Sequence, residues 1–358
     1  MQNQKFFSKT LLQWNDTENK RQMPWKGETD PYKIWISEII LQQTRVQQGL
    51  EYYTRFIAAF PNVGSLATAP ERKVYKLWEG LGYYSRCKNL IAAAQFVNNE
   101  LNGKFPEAFE DILSLKGVGT YTASAIASFA FNQPFAVLDG NVFRVLSRFF
   151  GEEMPINTAA GKKFYASLAQ QLLDKRNPGK YNQALMDFGA VICKPAAPVC
   201  LQCPLKKKCI AFLENKVSEL PVNTKKIAQK ERFFNYLVVE YNNRFYVHKR
   251  TAKDIWQNLY EFVLIETQKL FDEHSLSVNG QIIKILNQDD FTIKSISAKK
   301  SQKLTHQIIT GRFIRLTVNK PLENDEYFSV SRRQLKALPF PKFTASYLAD
   351  KNVSLNSI

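Results

Sequence analysis

The chain has 358 residues, of which 45% are hydrophobic, so it is long enough for two or three globular domains. Its formal net charge is +17, and residues 222–358 alone carry 22 lysines and arginines against 13 acidic residues. A basic charge spread along a whole chain is typical of proteins that bind a polyanion such as nucleic acid. Because no apolar run approaches a membrane span and the N-terminus lacks a signal-peptide core, we expect a cytoplasmic protein that does not bind membranes.

Residues 5–213 are predicted to be mostly helical, because apolar side chains recur there at steps of three and four residues. The polar stretch Glu214–Arg232 has the composition of a linker. Beyond it, short alternating segments indicate an α+β module. We predict a helix within Leu270–Leu286, a turn at Asn242-Asn243, and strands at Phe233–Glu240, Arg244–Lys249, Glu261–Glu266 and Arg312–Val318.

Glu38 is a candidate general acid. It lies between Ile34 and Leu41 on one face of a predicted helix whose other faces are also apolar, so we expect the helix to be buried. A carboxyl group in such surroundings is costly to ionise and should have a raised pKa, as a general acid near neutral pH requires. The alternative is a glutamate that reaches solvent or pairs with Arg45.

A glycine-rich turn joins two predicted helices at Leu115-Lys-Gly-Val-Gly-Thr. Gly117 and Gly119 permit a tight turn and the close approach of another backbone. The helix that follows offers unpaired N–H groups and the positive end of its dipole, which predicts a phosphate site. A plain turn between helices is the alternative.

Asp139 precedes another predicted helix, where it suits an N-cap. The helix N-terminus stabilises an anion, so we expect Asp139 to stay ionised. Together with a protonated Glu38, this would give one acid and one fixed anion, the division of labour used to break glycosidic bonds.

Four cysteines have the spacing C-x6-C-x2-C-x5-C: Cys193, Cys200, Cys203 and Cys209. Closely spaced thiols in a chain without a secretory signal indicate a metal site and not disulfides. Tetrahedral zinc sites usually use two C-x2-C pairs, and only one is present here. The spacing therefore favours a [4Fe-4S] cluster held by four thiolates, with zinc as the alternative.

These motifs together resemble the adenine DNA glycosylase (MutY) family of the endonuclease III, helix-hairpin-helix superfamily. The matching segments, in chain order, are Met23-Pro-Trp25, Pro31–Glu38, Leu41–Thr44, Gly80–Arg86, Gly117-Val-Gly119 and Leu138–Val142. Trp256–Phe262 is similar to a segment of the family's MutT-like (Nudix-fold) domain, although the acidic signature of active pyrophosphatases is absent. We therefore expect no nucleotide hydrolysis by this domain.

The resemblance implies a fold and its boundaries. We expect an all-α helix-hairpin-helix glycosylase domain with an iron–sulfur cluster loop, followed by an α+β MutT-like domain. The helical domain would span 1–213, with a six-helix part at about 24–132 and a cluster part made of 1–23 and 133–213. The linker would be 214–232, and the MutT-like lesion-recognition domain 233–358.

The resemblance also implies a function in DNA base-excision repair. The enzyme would hydrolyse the N-glycosidic bond of adenine mispaired with 8-oxoguanine or guanine in double-stranded DNA, acting as a monomer associated with the nucleoid. Glu38 would protonate the adenine at N7, and Asp139 would stabilise the oxocarbenium-like sugar while Asn141 holds it. Tyr121 would lie beside this pair. Because bifunctional relatives carry a lysine at this position, Tyr121 predicts a monofunctional enzyme that leaves an abasic site.

The remaining residues implied by the resemblance contact DNA. Gln43 and Tyr83 would wedge into the duplex near the lesion pair, and Lys26 stands where the family commonly has arginine. Thr305 and His306 fall in the loop that reads 8-oxoguanine, where Leu304 replaces the family's aromatic residue. We expect recognition of the lesion to survive this replacement.

Overall fold

The computed structural model describes residues 2–224, 228–287 and 290–350, apart from the side chains of residues 273 and 275. Two compact units divide the described residues: Met1–Thr68 with Lys88–Lys225, and Ala69–Cys87 with Lys226–Ile358. Within these described ranges, no helix is both long enough and apolar enough to span a bilayer.

The predicted helical part is confirmed. Its α-helices are α1 Gln2–Thr17, α2 Pro31–Leu41, α3 Val46–Ala59, α4 Val63–Ala67, α5 Glu71–Trp78, α6 Tyr84–Glu100, α7 Phe109–Ser114, α8 Thr120–Phe131, α9 Gly140–Phe150, α10 Ala159–Leu172, α11 Pro178–Val191 and α12 Ile210–Leu213. The cysteine loop adds two short 3-10 turns, Cys200–Gln202 and Lys206–Lys208.

A shared core fixes α1 against the helices around the cysteine loop. Phe7 of α1 is fully buried, and its ring packs 4.8 Å from that of Phe149 on α9. Trp14 packs edge-on against Phe188 of α11 at 5.0 Å. Burial of these large rings contributes much of the free energy that holds α1, α9 and α11 together, because each removes a large apolar area from water.

The second unit contains a seven-stranded mixed sheet. Its elements are β1 Lys230–Tyr241, β2 Arg244–Lys249, β3 Tyr260–Thr267, a 3-10 turn Glu273–Val278, α13 Gly280–Leu286, β4 Phe291–Ile296, β5 Lys300–Lys303, β6 Gln307–Val318, β7 Phe328–Ser331, α14 Arg332–Ala337 and α15 Lys342–Leu348. The strand order is β4-β6-β1-β3-β2-β7, with β5 also paired to β6. The β1–β6 pair is parallel and the other pairs are antiparallel.

The two faces of this sheet have separate apolar partners. Leu237 on β1 packs with Ile282 of α13 on one face. On the other face, Tyr236 and its register partner Phe313 stack at 5.1 Å, and Tyr347 of α15 stacks on Phe313 at 4.0 Å. The alternation of neighbouring residues between faces follows from the two-residue period of a strand.

All four predicted strands, the helix within Leu270–Leu286 and the Asn242-Asn243 turn are confirmed. Both turn residues have positive φ (48° and 59°), as a two-residue hairpin favours. β1 begins at Lys230, three residues before the predicted start, because its parallel pairing with β6 begins at Lys230 opposite Gln307. The strands β4, β5 and β7 escaped prediction, since they are short and carry little apolar alternation.

The segment Ala69–Cys87 packs with residues of the C-terminal module. Lys76 on α5 pairs with Glu79 at 2.6 Å and donates from Nζ to the carbonyl of Leu338 at 3.0 Å. Glu79 in turn accepts the backbone N–H of Phe340 at 2.9 Å. Charged side chains that bind main-chain groups fix the backbone of both segments.

Candidate active site

The buried helix α2 carries Glu38. Asp30 caps the helix by accepting the N–H of Tyr32, and Pro31 occupies its first position. The Glu38 side chain is nearly excluded from solvent, with 7% of its surface exposed. Burial, with a smaller contribution from Asp139, raises its pKa to about 7, although the hydrogen bond with Tyr121 opposes the shift. The structure buries Glu38 as predicted, and this burial raises its pKa, so Glu38 can hold a proton near neutral pH.

Tyr121 enters the site from the first turn of α8. Its hydroxyl hydrogen-bonds with Glu38 and lies 3.6 Å from the sulfur of Met186. Burial and the neighbouring carboxyl groups raise the pKa of Tyr121 well above its usual value. Tyr121 is therefore a neutral hydrogen-bonding partner of the acid at any physiological pH.

Asp139 is the N-cap of α9. One carboxylate oxygen accepts the N–H of Val142 at 2.7 Å, and the other accepts Nδ2 of Asn141 at 2.7 Å. Burial raises the pKa of Asp139 overall, although these bonds and the nearby Arg144 oppose the shift. The sequence indicated the cap but not the depth of burial, which tertiary packing sets.

The next turns of α9 reach the cysteine loop. Arg144 donates from Nη2 to Oδ1 of Asn141 at 2.8 Å and from Nε to the carbonyl of Cys193 at 2.7 Å. Arg148, one turn further along, donates to the sulfur of Cys193 at 3.5 Å and to the carbonyl of Lys194 at 2.8 Å. One helix therefore links the carboxylate cap to the backbone of the first cysteine.

The four cysteines of the motif form no disulfides and are partly buried. Burial raises the pKa of Cys200, Cys203 and Cys209, to about 12 for Cys203, and the neighbouring Cys193 adds to each of the three shifts. Among the described residues, no group of three or more His, Cys, Asp or Glu side chains has an arrangement that could hold a metal ion.

Asp187 on α11 is a buried carboxylate that sequence analysis missed. Its side chain is fully buried and pairs with Arg21 at 2.8 Å and Lys26 at 2.9 Å. Asn19 and Gln183 each donate a further hydrogen bond to it at 2.9 Å. These contacts tie the segment before α2 to α11, and Lys26, predicted to contact DNA, is engaged in this ion pair.

A pocket of about 890 Å³ lies where these elements meet. That volume is within the range of about 300–1,000 Å³ typical of small-molecule sites. Seven of the residues predicted for the site line it: Lys26, Glu38, Gln43, Gly119, Tyr121, Asp139 and Asn141. The arrangement places a protonatable acid and a capped carboxylate in one cavity.

The hairpin between α7 and α8 has the predicted glycines at its surface. Gly117 has φ +81°, and a Cβ there would lie 2.6 Å from that of Asn89, so both conformation and space require glycine. At Gly119, which caps α8 without a side-chain bond, a Cβ would meet nothing within 4 Å. The first turn of α8 thus presents backbone N–H groups beside open space.

The predicted lesion residues of the C-terminal module lie in the turn between β5 and β6. Thr305 and His306 are exposed. The turn is closed by a bond from the N–H of Leu304 to the carbonyl of Gln307 at 2.7 Å, and Gln229 donates from Nε2 to the carbonyl of Leu304 at 2.7 Å. Gln229 had no signal in the sequence, because only folding brings it to this turn.

Tyr83 belongs to the same unit as this turn. Its hydroxyl lies 3.0 Å from Oγ1 of Thr305. Tyr83 and Gln43 have positive φ, 48° and 56°, which is uncommon for side chains of this size. The two residues predicted to wedge into DNA thus share an unusual backbone conformation.

The raised pKa of Glu38 should appear in the stability of the fold. A carboxyl group whose pKa rises on folding from 4.5 to about 7 stabilises the folded state at low pH, and this contribution is lost as pH rises through 7. Glu38→Gln should therefore be more stable than the parent protein by about 2–3 kcal/mol at pH 8. Thermal denaturation at pH 8 and pH 5.5 measures the gain, which should shrink at the lower pH. The exposed Glu51→Gln is the control, and an equal gain there would contradict this account.

Loss of the Asp187 charge should destabilise the first unit. Asp187→Asn leaves Arg21 and Lys26 without their buried counter-charge, at a cost of about 2–3 kcal/mol given that both cations are partly exposed. Asp16→Asn removes the same charge from the exposed pair with Lys180 and is the matched control. Thermal denaturation of both variants measures the difference, and equal midpoints would refute a structural role for Asp187.

Comparison with known proteins gives the family. Residues 36–164 match the HhH-GPD superfamily of base excision DNA repair proteins, and residues 235–350 match the NUDIX domain. An adenine DNA glycosylase of Buchnera aphidicola (from Schizaphis graminum) is 37% identical over 262 residues, which cover 73% of this chain and 76% of the relative. The human adenine DNA glycosylase is 43% identical over 57% of this chain and 39% of its own length.

Solved structures agree on the fold of the helical part. A thermostable thymine-DNA glycosylase, 31% identical, superposes with a TM-score of 0.55 over 60% of this chain and 98% of its own. A non-covalent endonuclease III–DNA complex, 17% identical, gives 0.50 over 60% of this chain and 97% of its own, and supports the fold alone. The expected fold class, a helical glycosylase domain followed by a Nudix-like domain, is confirmed. The chain belongs to the adenine DNA glycosylase (MutY) family.

Proposed function

We propose that this protein excises adenine from mispairs with 8-oxoguanine or guanine in double-stranded DNA and leaves an abasic site. The observation that carries the proposal is one pocket that holds a buried Glu38 with a pKa of about 7 beside the capped Asp139. Its relatives are named adenine DNA glycosylases, and its helical part matches base excision repair proteins.

The chemistry begins with the adenosine leaving the base stack, because its glycosidic bond is out of reach inside the duplex. Glu38 then donates its proton to N7 of the adenine, which makes the base a better leaving group. The sugar develops oxocarbenium character, and the Asp139 carboxylate stabilises that positive charge while Asn141 and the N–H of Val142 hold it in place. Water completes the hydrolysis.

Tyr121 supports Glu38 without forming a Schiff base. A phenol cannot condense with the sugar aldehyde as a lysine amine does. The protein is therefore proposed to be monofunctional: it removes the base and does not itself cleave the DNA strand.

Contacts to the duplex come from both units. The Gly117–Gly119 hairpin offers backbone N–H groups at the start of α8 to phosphate. Gln43 and Tyr83 are proposed to fill the space left by the extruded base. The exposed Thr305 and His306 offer a hydroxyl and an imidazole to the edge of 8-oxoguanine.

The four cysteines are proposed to hold a [4Fe-4S] cluster. The chemistry of the donors fits, since one loop carries four partly buried thiols and a guanidinium of Arg148 donates to the sulfur of Cys193. A bound cluster would replace four thiol protons and order the loop that carries Lys206, Lys207 and Lys208. It has no role in the proton transfer by Glu38.

A single-turnover assay tests the function. A duplex with adenine opposite 8-oxoguanine should give strand breaks only after alkali, and Glu38→Gln should slow excision about 10²–10⁴-fold. The parent rate should be constant below pH 7 and fall tenfold per pH unit above it, because only protonated Glu38 acts. Glu51→Gln and a duplex with thymine opposite guanine are the controls. Breaks without alkali, or thymine removal in place of adenine, would overturn the proposal.

The cluster is tested by absorption of the purified holoprotein. A [4Fe-4S] centre should give a broad visible band at about 400 nm, and Cys203→Ser should remove most of this absorption. Cys87→Ala is the control, since Cys87 is a buried cysteine outside the loop and its loss should leave the band unchanged. If the purified protein is colourless and contains one equivalent of zinc, the cluster proposal is wrong and the cysteines hold zinc.

A further inference from the structure

Tyr83 has a left-handed backbone conformation, which is unfavourable for a residue with a bulky side chain. It follows Gly80-Leu-Gly82, has φ +48° and immediately precedes α6. Its ring is 42% exposed, so packing in a core does not explain the conformation. A bulky residue keeps a left-handed φ only where the surroundings impose it, and such residues cluster at functional sites.

Arg86 is the neighbour best placed to hold the ring. Its guanidinium carbon lies 5.2 Å from the centroid of the Tyr83 ring and 5.5 Å from that of Trp78. Both distances are within cation–π range. The N–H of Arg86 also donates to the carbonyl of Tyr83 at 2.8 Å. Burial lowers the pKa of Arg86 to about 10, so the guanidinium is still charged at neutral pH.

Trp78 and the glycine turn before Tyr83 are held by hydrogen bonds. Trp78 is fully buried and donates from Nε1 to the carbonyl of Gly82 at 3.1 Å. The hydroxyl of Tyr84 accepts the N–H of Gly80 at 3.3 Å. Hydrogen bonds thus hold both ends of the glycine turn, and the Arg86 guanidinium lies over one buried ring and one exposed ring.

We propose that Arg86 is a positioning residue that presets the exposed ring of Tyr83 for insertion beside the lesion pair. This inference rests on the proposed function of Tyr83 as a wedge. A side chain already ordered in the free protein loses less conformational freedom on binding, so the preset ring increases affinity for the duplex. The bond between Tyr83 and Thr305 holds the hydroxyl end of the side chain, whereas Arg86 lies over the ring itself.

The proposed role requires arginine and not merely a positive charge. A guanidinium is planar and stacks on aromatic faces, while the lysine ammonium is a compact charge on a flexible stem. Lysine would keep the charge and lose the flat contact with both rings. If Arg86 instead bound a DNA phosphate directly, lysine would largely replace it. The two roles are therefore separable by one substitution.

The test is a double-mutant cycle on the full-length holoprotein. Binding is measured to a labelled duplex that carries 8-oxoguanine opposite 2′-fluoro-2′-deoxyadenosine, which resists cleavage. We expect Arg86→Met and Arg86→Lys each to weaken binding about tenfold. In a Tyr83→Ser background, Arg86→Met should add less than about twofold, because the ring it holds is already absent. For Arg86→Met and Arg86→Lys with Tyr83 intact, the excision rate at saturating protein should stay within about threefold of the parent value, since the catalytic groups are untouched.

Arg72→Met is the matched control. Arg72 is an exposed arginine of α5 in the same unit, so its loss removes the same charge without touching Tyr83. Should Arg86→Met fail to fold, as judged by thermal denaturation and cluster absorption, Arg86→Lys carries the test alone. Parent-like binding by Arg86→Lys, or a full tenfold loss on adding an Arg86 substitution to Tyr83→Ser, would overturn the inference. Failure of the parent protein to excise adenine would instead refute the proposed function, whatever Arg86 does.

Discussion

Burial of carboxyl groups in a helical domain is the constraint on which the reaction site depends. Three acidic side chains lie in or beside one pocket, and each has a different set of partners. Glu38 has few donors, so desolvation dominates and it retains a proton near pH 7. Asp139 accepts two short hydrogen bonds at a helix N-terminus, and Asp187 is paired with two cations. The number and charge of the donors thus give three carboxyl groups with different properties: one that holds a proton near pH 7, one that caps a helix and one that is paired with two cations.

The helix α9 contributes both to the pocket and to the position of the cysteine loop. Its N-terminus holds Asp139, and Arg144 and Arg148 on its later turns bind the backbone of the cysteine loop. A displacement of the loop would therefore also displace Asp139, which caps the helix. Hydrogen bonds made by α9 thus connect the cysteine loop to the residues that hold the Asp139 carboxylate.

Contacts in the folded protein also regroup segments that are distant in the sequence. Ala69–Cys87 precedes the helix-hairpin-helix turn in the chain, yet it packs with the C-terminal module through Lys76 and Glu79. Tyr83, the proposed wedge, and the turn at Thr305 consequently belong to one compact unit, where their hydroxyl groups lie within hydrogen-bond distance.

The sequence alone determined the helical and α+β parts, the four-cysteine spacing, the glycine turn and the buried environment of Glu38. Each of these follows from local periodicity or spacing, which survives in a linear pattern. It did not reveal Asp187 or Gln229, because their partners lie up to 168 residues away, nor the contact of Arg86 with Tyr83, because no sequence pattern shows which rings a guanidinium faces. Tertiary structure also decided how deeply Asp139 is buried. Hydrogen bonds and desolvation depend on which surfaces meet, and only the packed chain fixes that.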